Sequence, residues 1–166
     1  YKRQALDWFR SYRQVIVHFP AGANVFVGAN GQGKTNLLEA INYLAVLASH
    51  RIGTDAGLIF RETADTADPS ASPRAGVIRA RIHPGSDLAD PEATGELLEM
   101  ELLAGRANRA MINRHNVRPR SLLGHLSTAL FAPEDFQLVQ GDPSARRPFL
   151  DRIAIQLRPT LAGALS

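Results

Sequence analysis

Apolar positions along the chain change period several times, and each change marks an element. Over residues 1–20, Val15, Val17 and Phe19 alternate with Ile16, His18 and Pro20, a two-residue period that predicts extended structure. Ala21-Gly22-Ala23-Asn24 is a turn signal. Val25-Phe26-Val27 is a short run of apolar β-formers, the type that fills a buried central strand. Glycines follow at once, and from Thr35 the period lengthens. Leu37, Leu38, Ile41, Leu44, Ala45 and Leu47 recur at three- and four-residue steps, predicting a helix with one apolar face. The order is strand, glycine loop, helix.

The middle of the chain is more polar. Residues 63–76 are mostly Ala, Asp, Thr, Ser and Pro, and 83–95 are similar, with Pro84-Gly85 and Asp90-Pro91 as breakers. Between Asp55 and Glu101 there are ten acidic residues against four arginines, so 63–96 reads as an acidic surface insertion. Val77-Ile78 with Ile82, and Leu97-Leu98 with Met100, Leu102 and Leu103, predict two strands separated by a solvated loop. Met111-Ile112-Asn113 predicts a short strand running into a turn. Pro119 opens a helical pattern through Leu122, Leu123 and Leu126, and Thr128 to Phe131 reads as another buried strand, stopped by Pro133. A final helix is expected from near Ser144, with Phe149, Leu150, Ile153 and Leu157 on its apolar face and Arg146, Arg147 and Arg152 outside.

Composition narrows the classes. The 166 residues amount to one domain, and 45% apolar with 21% charged is ordinary for a chain with a packed core. Cysteine is absent, which excludes a disulfide scaffold, a thiolate zinc site and a cysteine nucleophile. No run approaches a bilayer-spanning length and no signal-peptide layout opens the chain, so the expectation is a cytoplasmic protein with no membrane association. The five histidines show no metal-ligand spacing and no nucleophile motif. A net charge of +3 is too small to announce a nucleic-acid partner. Lysine is scarce: Lys2 and Lys34 are the only two. The chain starts at Tyr1 and stops at Ser166 inside an apolar-periodic stretch, and it is expected to be part of something longer.

One of those two lysines completes Gly28-Ala29-Asn30-Gly31-Gln32-Gly33-Lys34-Thr35, a full match to the P-loop pattern. At this composition such a match arises by chance in on the order of one chain in a thousand. Its setting, between an apolar strand and a helix, is the one the motif requires. The glycines permit a tight turn and let bare backbone N–H groups approach phosphates. The helix that follows directs its positive N-terminal end to the same place. Lys34 would reach the β- and γ-phosphates, and the Thr35 hydroxyl would ligate Mg²⁺.

The wording around that loop, Val27 through Thr35 and on through Asn36-Leu37-Leu38-Glu39-Ala40-Ile41, closely resembles the RecF family of DNA replication and repair proteins, in the SMC-like branch of ABC-type ATPases. Four other stretches agree in order. Asp7-Trp8-Phe9-Arg10-Ser11-Tyr12 resembles the family's opening strand and its F-R-x-Y motif, and Ser49-His50-Arg51 falls where the family has a similar triplet. Arg106 to Val117 is similar to its A-R-I-N-G-x-x-V hairpin, with Asn113 on the asparagine. Leu130 to Phe136, with Gly141-Asp142-Pro143-Ser144 and Arg146 to Asp151, resembles its most distinctive block. The stretch 63–96 matches least.

The resemblance implies an α/β fold, a P-loop lobe like an ABC-ATPase head with an antiparallel β-subdomain packed beside the Walker A helix and central sheet. It implies ATP and Mg²⁺ as ligands, held by residues 28–36 with Arg10 and Arg51 nearby. For Arg51 the plain alternative is a surface arginine favourable at a helix end. Glu134 or Gln140 would belong to the metal and water loop. No apolar strand ending in Asp-Glu and no Ser-Gly-Gly-Gln-like signature is found, so half of a composite site is expected, completed in an ATP-dependent homodimer. The implied role is DNA binding at gaps or junctions in replication, recombinational repair and the SOS response, with RecO and RecR as partners. Arg106, Arg109, Arg114, Arg118 and Arg120 would supply phosphate contacts, or equally form a solvated face that pairs with the acidic stretch. The competing reading is the ATPase subunit of a membrane transporter, against which stand Asn30-Gly31 before Gln32 and the Pro133-Glu134-Asp135 block.

Overall fold

The alternation over the first residues resolves into a hairpin, β1 (Arg3–Phe9) and β2 (Tyr12–His18), with Leu6 opposite Val15 and Phe9 opposite Tyr12. The structure is a computed structural model and describes residues 3–61, 75–83, 95–136, 138, 141, 142, 144 and 146–164. Four further strands, β3 (Ala75–Ile82), β4 (Glu96–Leu103), β5 (Arg109–Ile112) and β6 (His115–Val117), complete one antiparallel sheet in the order β2-β1-β3-β4-β5-β6. Register decides what each face carries, because side chains alternate along a strand. Leu6, Ile78, Met100 and Ala110 stand opposite one another across four strands, and Gln4, Ala80, Leu98 and Ile112 form the next row. Both rows point into the core, where all but the half-buried Ile112 are almost wholly shielded from solvent. On the other face Arg79 bridges Asp7 and Glu99, so these three charges on the outer side of the sheet offset one another.

Helix α1 (Lys34–Val46) packs against β3 and β4, and α2 (Arg146–Leu157) packs against α1. Being covered on more than one side, α1 buries more than an apolar stripe: Leu37, Ala40, Tyr43 and Leu44 are inside, and so are Glu39 and Asn42. Both polar residues have partners, as buried polar groups require: Arg10 and Ser49 for Glu39, and the Thr128 hydroxyl at 2.9 Å for Asn42. Leu38, expected on the apolar face, is exposed.

Several expectations are corrected. Val25-Phe26-Val27 is not a buried strand: Val25 and Val27 are 83% and 91% exposed, and no described strand runs beside them to accept their backbone hydrogen bonds. Thr128 to Phe131 is likewise irregular, with Phe131 exposed and edge-on to Phe136 at 5.7 Å. Here Thr128 spends its amide on the Gln156 side chain rather than on a neighbouring strand. The pattern from Pro119 yields one 3₁₀ turn, Pro119–Leu122, ended by a reversal at Gly124 with φ of +92°. The last helix forms where expected, but Leu150, Ile153 and Leu157 are exposed. The stretch 63–96 is not all insertion, since β3 within it lies in the middle of the sheet; 63–74 and 84–94 lie outside the described residues.

Candidate functional site

The glycine loop takes its shape from two residues that only glycine suits. Gly31 has φ of +82°, and Gly33, the residue that caps α1, has φ of +90°. Beyond Gly33 the helix begins at once, with the Asn36 amide donating to the Gly33 carbonyl at 2.8 Å. A Cβ placed at Gly28 or Gly31 would meet nothing within 4 Å, so this backbone borders open volume. The Lys34 ammonium folds back over the loop and donates to the Gly28 and Ala29 carbonyls, both at 2.7 Å.

In front of the loop lies a cavity of about 560 Å³. It is lined by Asn30 through Asn36, by Arg10, Ser11 and Arg51, and by Gly57, Ile59 and Arg61. The residues expected to hold the nucleotide are thus gathered at one place, with Gly28 and Ala29 reached through Lys34. Arg10 sits at the tip of the β1–β2 hairpin with φ of +53°, and its amide donates to the Leu58 carbonyl at 2.8 Å. Segment 58–60 runs alongside the end of β1, through the Phe9–Ile59 bridge and a Phe60 amide to Trp8 carbonyl bond of 2.7 Å. That pairing carries Gly57, Ile59 and Arg61 to the cavity wall.

Glu39 fixes the Arg10 side chain. Arg10 donates from Nε to Oε2 at 2.8 Å and from Nη2 to Oε1 at 2.7 Å, a two-point fork. The Ser49 hydroxyl donates to the same carboxylate at 2.5 Å. Burial pushes the Glu39 carboxyl up, but the hydrogen bonds from Arg10 and Ser49 and the positive charge nearby outweigh it, and its pKa lies below the ordinary value. Behind the cavity, the phenol of Tyr43 is pushed far up by burial and by its hydrogen bond to Asp55. Asn108 donates to Asp55 at 2.6 Å, so α1, the turn Asp55–Leu58 and the β4–β5 loop are pinned together.

The five arginines expected to contact DNA are exposed and none of them lines this cavity. Arg109 lies 3.9 Å from Glu101, and Arg114 occupies the β5–β6 turn with φ of +68°. Beside it Asn113, at φ of +50°, exchanges two 2.8 Å hydrogen bonds with Leu97, which gives that asparagine a structural role. Glu134 lies in the 3₁₀ turn Pro133–Phe136 with its side chain outside the described residues, as is Gln140 altogether. Reading the sequence alone missed Glu39, Ser11, Ser49 and Arg61. A charged residue inside a helical repeat gives no sign of burial, and only the Ser49-His50-Arg51 triplet hinted that the segment mattered.

The residues present suit a nucleotide phosphate: an open glycine backbone, an ammonium and three arginines lining one volume. For a metal the fit is partial. Thr35 lines the cavity, but the described residues contain no cluster of three His, Asp or Glu side chains that would hold an ion. Also among them, no helix is long and apolar enough to cross a membrane.

Fold and cavity together place the chain among P-loop lobes of the ABC-ATPase and SMC-head kind. A family model described as an AAA domain matches residues 6–80. DNA replication and repair protein RecF from Leifsonia xyli subsp. xyli is 46% identical over 162 residues, which is 98% of this chain and 38% of that protein. Over nearly its whole length the chain is similar to curated RecF proteins, and it spans well under half the length of those relatives. A solved structure of the recombination mediator protein RecF-ATPrS in the RecFOR pathway superposes with a TM-score of 0.74 at 26% identity, covering 91% of this chain and 37% of that one. An SMC ATPase structure, from work on ATP-driven dimerization and DNA-stimulated activation, shares the fold at a TM-score of 0.65 and 20% identity, covering 92% and 98%.

Proposed function

We propose that this chain binds ATP in the cavity before the 28–35 loop, as half of a composite ATPase site in DNA replication and recombinational repair. The observation that carries the reading is the convergence of Lys34, Arg10 and Arg51 with the open glycine backbone on one cavity. Three cations around bare amides suit a triphosphate, whose charge they offset in a site partly screened from water. On binding, Lys34 exchanges its two loop carbonyls for phosphate oxygens, and Thr35 offers its hydroxyl to Mg²⁺. The metal, when bound, neutralises phosphate charge and polarises the terminal phosphoryl group.

The signature and Walker B elements are assigned to the remainder of a RecF-length polypeptide, and the opposite face of the nucleotide to a second copy. ATP-dependent dimerisation on DNA at gaps or junctions, a place in the SOS response, and RecO and RecR as partners are further parts of this proposal, supported by the likeness to RecF proteins. The five exposed arginines are the proposed phosphate contacts on DNA.

The test is titration of a fluorescent ATP analogue with Mg²⁺ against the chain and against Lys34→Ala. Saturable binding that the substitution abolishes, with the circular dichroism spectrum unchanged, supports the reading. Equal affinity in both would refute it.

A further inference from the structure

We propose that Glu39 is the positioning residue for two arginines of the cavity, Arg10 and Arg51. The inference rests on the nucleotide reading above and extends it to a residue that no P-loop pattern specifies. Glu39 is fully buried, yet it stands next to a cavity meant for an anion. An unpaired carboxylate there would repel phosphate and be costly to bury. Its charge is instead spent on two tasks. The first is the fork to Arg10, which holds the guanidinium by the Nε–Nη2 edge at the cavity wall. The second runs through Ser49. That hydroxyl gives its one proton to Glu39 and accepts the backbone amides of Arg51 at 3.0 Å and Ile52 at 3.1 Å. With its proton committed to the carboxylate, the Ser49 oxygen is aimed at the turn that carries Arg51.

The circuit closes on the first turn of α1. Arg51 Nη1 donates to the Asn36 side-chain oxygen at 3.4 Å, and Asn36 Nδ2 donates to the Ser11 hydroxyl at 2.9 Å, beside Arg10. Hairpin tip, helix and the 49–52 turn are thus tied in one ring, with the Glu39 carboxylate as its acidic member. Both arginines are set before a ligand arrives, which lowers the ordering cost of binding.

The experiment compares Glu39→Gln with the wild-type chain in two ways. Amide hydrogen exchange at Arg51 and Ile52 reads the relay without any nucleotide, and titration of the fluorescent ATP analogue reads its consequence. Faster exchange at both amides and an affinity loss of about tenfold are expected. Unchanged exchange at 51 and 52 overturns the proposal whether or not the wild type binds ATP. A wild type that binds no ATP, with exchange still responding to Glu39→Gln, removes the nucleotide reading and leaves the relay standing. Should Glu39→Gln not fold, Ser49→Ala decides: it should weaken ATP binding about threefold in the wild type and not at all in an Arg51→Ala background. Equal losses in both backgrounds would overturn the relay.

Discussion

Gly33 and Tyr12 are packed so closely that a single methyl group at position 33 would lie 2.8 Å from the tyrosine oxygen and 2.6 Å from the Ser11 hydroxyl. The hairpin tip therefore closes directly over the cap of α1, and the P-loop is held from outside as well as by its own turn. Gly33→Ala meets both this contact and the left-handed backbone. It should cost about 2 kcal/mol of stability and lower nucleotide affinity with it. Thermal unfolding of the variant reads the first effect directly, and a melting temperature equal to the wild type would show that the tip yields freely.

Tyr43→Phe removes the phenol that donates to Asp55 while keeping the ring. The Asp55 carboxylate retains Asn108 but loses its buried partner, a change of about 1–3 kcal/mol. Chemical denaturation should show the loss as a shifted midpoint with the same slope, since the surface exposed on unfolding is unaltered.

Acid should weaken the Arg10–Glu39 pair in a definite direction. Because the folded-state pKa of Glu39 lies below its ordinary value of 4.5, the unfolded chain binds the proton more readily than the folded one. The pair's contribution is fully present above pH 4.5 and disappears as pH falls through the lower, folded-state value. Glu39→Gln removes that term, so stability measured between neutral and acidic pH should fall less steeply in the variant.

Binding of the chain to DNA should be weak and strongly dependent on salt. Each exposed arginine that meets a phosphate steepens the dependence of log K on log salt by about one. Arg114→Ala and Arg118→Ala should therefore each flatten the slope by about one and weaken binding equally for unrelated sequences. Tight binding indifferent to salt would contradict the assignment of these side chains.

The glycine loop was legible because its fixed positions each have one job and few residue types that do it, as with Gly33 at the helix cap and Lys34 beyond it. The strands β3, β4 and β5 were legible too, since short apolar runs around Ile78, Met100 and Ile112 are set off by polar stretches and turn signals. Val25-Phe26-Val27 was not, because an apolar run states an appetite for burial and says nothing of whether a neighbouring strand is at hand. The surroundings of α1 were hidden for a related reason. A helical period identifies one buried stripe, whereas α1 is covered by the sheet and by α2, and the charge of Glu39 becomes tolerable only through Arg10, twenty-nine residues away in sequence. Such a pairing leaves no trace in the local pattern.

The bareness of Val25 and Val27 bears on how the polypeptide will behave in the test tube. Two valines in water, with Leu150 and Leu157 uncovered elsewhere, make a surface prone to self-association. Concentrated samples should scatter light and lag on gel filtration, and a threonine at position 27 should relieve both without touching the phosphate cradle one residue further on.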